Sequence, residues 1–291
     1  MSDMSQTPVE LGAAAVGPTE APRKPRMAIM GEFSAGKSTL SNLLLGAKPL
    51  PEKVTATRLS PVWLTKGNAP PVAHFVDAER APEPVTGFDG LDVDAVRYVS
   101  MSIDSTILEY CDLIDFPGIS DPNMDSDVWE RMLPEIDLIL WLTHATQAWR
   151  QSEAAAWDLV PEEVQARSML LVTRFDKLTT ERDQKRVLAR LHAETEDLFA
   201  GIYPLSLLDA LNAAKAGDAD AWDASGARRF TQDLHIALAR LDSSIPEPGA
   251  EAAPAPAPEA EPQTARRPSR RIVPRRIRAA LGGGRRSRPQ D

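Results

Sequence analysis

The densest chemical signal in the chain is Gly31-Glu-Phe-Ser-Ala-Gly36-Lys37-Ser38, spaced G-x-x-x-x-G-K-S. That spacing suits a polyphosphate. Gly31 and Gly36 let the backbone wrap closely around phosphate oxygens. Amides of Ser34, Ala35, Gly36, Lys37, Ser38 and Thr39 then face the anion at the positive end of a helix. Lys37 is expected to reach the outer phosphates, and the Ser38 hydroxyl to bind Mg2+.

Later residues extend this chemistry. Leu113-Ile-Asp115-Phe-Pro-Gly118 ends an apolar strand with D-x-x-G. Asp115 is placed to hold Mg2+ through water, and the Gly118 amide to meet a γ-phosphate. Thr55 and Thr57 lie in a polar loop after the first helix, and Thr57 is the favoured residue to close over Mg2+. Thr173-Arg174-Phe-Asp176-Lys177 follows another strand and is similar to the [NT]-K-x-D guanine motif. A carboxylate at Asp176 accepts from guanine's ring N–H and exocyclic amine together, a donor pair adenine lacks. Arg174 stands where Lys is usual, and its aliphatic stem can lie over the base. Ser206, in Tyr203-Pro-Leu-Ser-Leu207, is the candidate for the last base-contacting loop. The ligands expected are therefore GTP or GDP and Mg2+.

These loops need a scaffold of short strands alternating with helices. Met27–Met30 is an apolar strand and Thr39–Leu45 a helix. Further β-rich runs fall at Pro61–Thr65, Val72–Val76, Tyr98–Ile103, Leu108–Asp115, Asp137–Thr143 and Met169–Arg174. Helical patterns at Asp127–Leu133, Ser152–Val164 and Thr180–Phe199 separate the later strands, and a last amphipathic helix fits Ala227–Leu241. The alternation predicts an α/β fold, a mainly parallel sheet with helices on both faces. The short Lys66–Pro71 connection predicts a hairpin and hence an antiparallel edge strand.

Composition sets the flanks. Residues 1–24 are Ala-, Pro-, Thr- and Glu-rich without periodicity and read as disordered. The folded domain is expected over 25–244, with a Pro/Ala/Glu linker at 245–264 and an Arg-rich tail at 265–291. That tail holds ten arginines and one aspartate, against 23 basic and 41 acidic residues before it. An acidic body with a basic tail points to an anionic partner. Val273, Ile277 and Leu281 recur every four residues beside arginines, which suits a short helix lying on anionic lipid; RNA or DNA phosphate is the weaker alternative. One cysteine, Cys111, excludes an intrachain disulfide, and with only four histidines no transition-metal site is expected. No run approaches the roughly 20 apolar residues that span a bilayer, and the N-terminus does not read as a secretory signal. The cytoplasm is the expected compartment, with the tail allowing a peripheral position at the membrane face. His144 reads as an ordinary strand-end histidine, and Trp149 and Arg150 as surface packing.

Taken together, Gly31–Gly46 (GEFSAGKSTLSNLLLG), Leu50-Pro51 with Val54–Arg58, Asp115–Gly118 and Gln151-Ser152-Glu153 resemble the dynamin superfamily of large GTPases, especially its bacterial branch. The resemblance covers about residues 25–210. It implies a P-loop GTPase G domain that hydrolyses GTP to GDP and phosphate. Lys37, Ser34, Thr57 and Gly118 would be the residues at the reacting phosphate, and nucleotide-dependent homodimerisation is implied. Phe33 stands where eukaryotic members carry a glutamine that helps place the attacking water, which leaves a slow-hydrolysing, GTP-dependent adaptor as the alternative. The sequence after Leu241 does not read as the family's long helical stalk, so a membrane-remodelling polymer is not expected of this chain by itself. A ribosome-assembly GTPase with an RNA-binding tail is a third and weaker reading.

Overall fold

The computed structural model describes residues 23–46, 60–88, 91–119 and 127–242. The chain divides into units at Met1–Ala250 and Glu251–Asp291, and every described residue lies in the first. Thr55 and Thr57, the linker and the Arg-rich tail lie outside the described residues.

Nine strands among the described residues form one sheet. They are β1 (Arg26–Gly31), β2 (Val62–Lys66), β3 (Val72–Phe75), β4 (Glu83–Pro84), β5 (Val96–Ile103), β6 (Asp112–Asp115), β7 (Leu138–His144), β8 (Met169–Thr173) and β9 (Gly201–Pro204). Their order is β4-β3-β5-β2-β6-β1-β7-β8-β9. From β6 to β9 every pairing is parallel, while β2 meets β6 antiparallel, and β3 meets both β5 and β4 antiparallel.

The central strands are near-continuous apolar runs because both of their faces are covered. Alternate residues go to opposite sides. Met27, Ile29, Leu138, Leu140 and Leu142 join one buried cluster, and Ala28, Met30, Ile139 and Trp141 the other. Helices α1 (Lys37–Leu45), α2 (Ile107–Tyr110), α3 (Asp127–Glu130), α4 (Gln151–Trp157), α5 (Glu162–Gln165), α6 (Glu181–Glu194), α7 (Leu207–Ala216), α8 (Ala219–Ala224) and α9 (Ala227–Leu241) connect the strands. Through Leu40, Leu207 and Phe230, helices α1, α7 and α9 cover the first face. Through Trp157, Val164 and Leu191, helices α4, α5 and α6 cover the second. In α9 the predicted stripe of Phe230, Leu234 and Leu238 is buried. No helix among the described residues is long and apolar enough to cross a membrane.

The antiparallel edge is present, but the predicted hairpin is not. β5 lies between β2 and β3, pairing parallel with one and antiparallel with the other. The connection after β2 passes over the end of β5, where Gly67 donates its amide to Ile103 O. The strand expected over Leu108–Asp115 begins only at Asp112. Its first part is the turn α2, closed by Cys111 N–H on Ile107 O. The helix expected over Ser152–Val164 is two short ones, because Pro161 supplies no amide to continue the first and instead opens the second as its cap. Strand β9 and helices α7 and α8 were not anticipated.

Candidate functional site

β1 runs into the glycine loop at Gly31, whose φ is 139°. A Cβ here would lie 2.1 Å from Leu142 O, so only glycine lets the loop leave β1 this close to β7. The loop turns through Ser34 and Gly36, both at positive φ, and Ala35 N–H donates to Glu32 O at 3.2 Å. α1 then begins at Lys37. Its ammonium folds back over the loop, donating to Gly31 O at 3.0 Å and Glu32 O at 2.8 Å.

A cavity of about 290 Å3 opens above this turn. It is lined by Phe33, Ser34, Gly36, Lys37, Ser38, Thr39, Asp115, Phe116, Gly118 and Arg174. Eight of the sequence-predicted residues therefore converge on one concavity from three parts of the chain. Asp115 is fully buried at the end of β6, and the Ser41 hydroxyl lies 2.8 Å from its Oδ2. The Ser38 hydroxyl and the Asp115 carboxylate are hard oxygen donors facing the same space, the donor type that suits Mg2+. After β6 the chain stays against the loop: Phe116 N–H donates to Ile29 O and Ile119 N–H to Gly31 O. A Cβ on Gly118 would meet Phe33 Cα at 2.9 Å, so the D-x-x-G turn packs directly on the phosphate loop.

Five predicted residues among the described ones do not line the cavity. Gly31 and Ala35 form the back of the loop. Thr173 is fully buried, and its hydroxyl lies 2.6 Å from Ala35 O and 3.2 Å from Thr143 O. Its contact is thus with the loop backbone. Ser206 uses its amide on Ser225 O and opens α7. Arg174 does line the cavity, at φ 52°, with its guanidinium donating to Ser34 O at 3.0 Å. Asp176 lies beyond it in a 3-10 turn, paired with Lys177 at 3.0 Å and partly exposed. Phe175 N–H donates to Leu205 O, which joins the Arg174–Asp176 turn to the Leu205-Ser206 turn. The two segments expected to meet a base are therefore neighbours.

Sequence reasoning gave no role to Glu32, Thr143, Ser152 and Glu153, a polar group beside the loop in which Glu32, Thr143 and Glu153 are buried and Ser152 is exposed. Ser152 Oγ donates to Glu32 Oε1 at 2.5 Å. Glu153 accepts from Trp141 Nε1 (3.1 Å), Thr143 Oγ1 (3.0 Å) and Arg150 N (2.9 Å). Burial pushes its carboxyl above the usual range, the three hydrogen bonds oppose that, and the charge of Glu32 adds to the rise. The cap of this helix is Arg150, not a usual capping residue, so the sequence carried no capping-box signal for Glu153. His144 behaves as a strand-end residue: Nδ1 accepts from Thr146 N–H, and burial together with Arg174 and Arg150 lowers its pKa. Trp149 packs its ring against Trp141, Trp157 and Phe199.

The dynamin family model matches residues 27–175. Dynamin-like protein 2 of Campylobacter jejuni is 28% identical over 165 residues, covering 53% of this chain and 26% of that protein. The isoniazid-induced protein IniC of Mycobacterium tuberculosis is 29% identical over 140 residues, covering 42% and 28% respectively. The match spans about a quarter of the length of these relatives. Among solved structures, two of an oligomerised bacterial dynamin pair, described as a mechanism for long-range sensing and tethering of membranes, superpose with TM-scores of 0.52 and 0.54. Their identities are 19% and 17%, each covering 77% of this chain, with 36% and 40% of theirs. At that identity the likeness shows the fold.

Proposed function

Because this chain belongs to the dynamin family, we propose that it binds guanine nucleotides and hydrolyses GTP to GDP and phosphate. The observation that carries this reading is the convergence of Lys37, Ser38, Asp115 and Gly118 on one cavity. In the proposed complex the Ser34–Thr39 amides and the Lys37 ammonium surround the phosphates. Lys37 exchanges its carbonyl partners on Gly31 and Glu32 for phosphate oxygens. Ser38 and Asp115, with Thr57, would hold Mg2+, which when bound neutralises charge developing on the β- and γ-phosphates. Catalysis is then positioning and charge stabilisation, with no acid–base side chain required. Asp176 selects guanine. The γ-phosphate holds the segments at Thr57 and Gly118 and releases them on hydrolysis.

The test is nucleotide binding in magnesium buffer, comparing GTP with ATP. Wild type should prefer GTP, Lys37→Ala should lose binding, and Asp176→Ala should lose preference for the base. A wild-type protein without affinity for guanine nucleotides overturns the reading.

One observation favours a second reading, a slow-hydrolysing GTP-dependent adaptor. Phe33 is 68% exposed on the loop and offers no polar group to orient water. Turnover with and without anionic vesicles separates the two, since an adaptor stays slow in both. Nucleotide-dependent homodimerisation, the domain limits 25–244 and 265–291, and peripheral docking of the Arg-rich tail on an anionic membrane complete the proposal, with nucleic acid a weaker partner. Sedimentation with GDP and GTP, and with vesicles using the full chain and one ending at Thr264, tests these. An unchanged monomer removes the dimer, and equal vesicle binding by both chains removes the tail's role.

A further inference from the structure

Glu32 is a carboxylate in the second position of a loop that is proposed to grip a polyanion, so its charge opposes that ligand. It is nevertheless 7% exposed and directed away from the cavity, where it does not appear in the lining. Its side chain accepts the Ser152 hydroxyl, from the second residue of α4, at 2.5 Å. Its own carbonyl accepts two donors of the loop, Lys37 Nζ at 2.8 Å and Ala35 N–H at 3.2 Å. One residue thus joins the outer limb of the loop, the Lys37 ammonium and a helix of the second face. The start of α4 is itself fixed. Glu153 holds the Arg150 amide and the Thr143 hydroxyl, and Thr143 O lies 3.2 Å from the Thr173 hydroxyl that grips Ala35.

We propose that Glu32, held by Ser152, is a positioning residue for turnover: it sets the limb carrying Phe33 relative to Lys37. This rests on the GTPase reading above. The Thr173 and Arg174 contacts hold the inner limb, at Ala35 and Ser34. The Glu32–Ser152 contact holds the outer one, next to the Gly118 turn that packs on Phe33. A peptide plane points its carbonyl and the next amide in opposite directions, so Glu32 O, kept on Ala35 N–H when Lys37 turns to phosphate, also fixes the Phe33 amide. Nucleotide is gripped chiefly by the inner limb and the start of α1. Loosening the outer limb therefore affects the γ-phosphate and the water more than GDP.

The experiment compares Glu32→Ala, Glu32→Gln and Ser152→Ala in the full chain, measuring GDP affinity, kcat and KM for GTP, and thermal unfolding. Glu32→Ala and Ser152→Ala should lower kcat by about tenfold or more, the scale for losing a hydrogen bond to a charged group, while GDP affinity changes by less than about threefold. Glu32→Gln keeps an acceptor for Ser152 and should restore most of kcat. Three results overturn the inference: kcat unchanged in both alanine variants, GDP affinity falling in step with kcat, or no rescue by Gln. Variants that fail to fold show a structural role only and overturn it too. A wild type that binds GTP and turns it over, beside variants of equal kcat, refutes this inference alone. A wild type without guanine-nucleotide binding refutes the functional reading and takes this inference with it.

Discussion

Replacing Thr173 with valine tests whether the end of β8 reads the base or holds the phosphate loop. The substitution keeps the branched shape and removes the hydroxyl, which is fully buried and lies 2.6 Å from Ala35 O. Thr143 O, the second neighbour at 3.2 Å, belongs to a strand paired on both sides, so the main loss falls on Ala35 O. Orphaning one buried acceptor costs about 1–3 kcal/mol. Freeing this carbonyl also frees the Ala35–Gly36 peptide plane, whose Gly36 amide the contact turns toward the cavity. Binding must then reorder the loop. If about 1.4 kcal/mol of the cost appears in binding, GDP and GTP affinity each fall by about tenfold. The rest appears as a melting temperature lower by about 2–4 °C per kcal/mol for a domain of this size. The GTP-to-ATP preference should not change, because the hydroxyl touches backbone and not base. Titration of GDP, GTP and ATP against both proteins reads all of these. A variant that keeps its GDP affinity but loses discrimination against ATP would show that the hydroxyl reads the base, and the argument from Ala35 would be wrong.

Gly31→Ala should destabilise the fold by at least about 3 kcal/mol, since it adds strain at a positive φ to a backbone clash with Leu142 O. A urea midpoint equal to wild type would refute this. Glu153→Gln should cost about 1–3 kcal/mol at neutral pH, because an amide has one acceptor oxygen where three donors converge. The pH dependence has a definite sign. The folded carboxyl lies above its ordinary value of 4.5, so the folded state holds the proton more tightly than the unfolded one. Its contribution to stability therefore falls as pH rises from about 4.5 through the raised value. The gap between wild type and Glu153→Gln should widen on acidification toward pH 4.5, and a gap that narrows would count against the burial argument.

What was legible in the sequence follows from how narrowly chemistry constrains each residue. A loop that presents amides to phosphate needs glycines, a lysine and a hydroxyl at set spacing, so Gly31–Ser38 could be read directly, and so could Asp115 and Gly118 at a strand end. The partner of Thr173 could not. Its contact with Ala35 depends on the register of β8 beside β7 and β1, which no local pattern encodes. The same holds for the sheet edge. Lys66–Pro71 is short enough for a hairpin, yet β5, some twenty residues further on, takes the place between β2 and β3. The apolar residues from Leu108 to Asp115 read as one strand because a run so short carries no period that separates a helical turn from an extended segment. Glu153 was obscured for a different reason. A glutamate is ordinarily exposed, and only its three donors, brought from β7 and the start of its own helix, make burial tolerable.

The residues that converge on the cavity and those that support the loop differ in what they touch. The first group faces the cavity, where the chemistry of the proposed nucleotide dictates residue type. The second group, Glu32, Thr143, Ser152, Glu153 and Thr173, touches loop backbone or one another, where many side chains are chemically adequate and tertiary geometry does the selecting. In the proposed complex the first group supplies the loop's affinity for phosphate. The supporting group fixes the loop's carbonyls at Ala35, through Thr173, and its side chain at Glu32, through Ser152. A glycine-containing loop without those partners would retain its motif and lose its shape. The entropy of ordering it would then fall on nucleotide binding, at about 1–2 kcal/mol for each residue ordered. Two or three residues released in this way weaken binding by more than the loss of any single amide contact. In the proposed nucleotide complex the supporting residues therefore matter to affinity at least as much as any single contact of the motif.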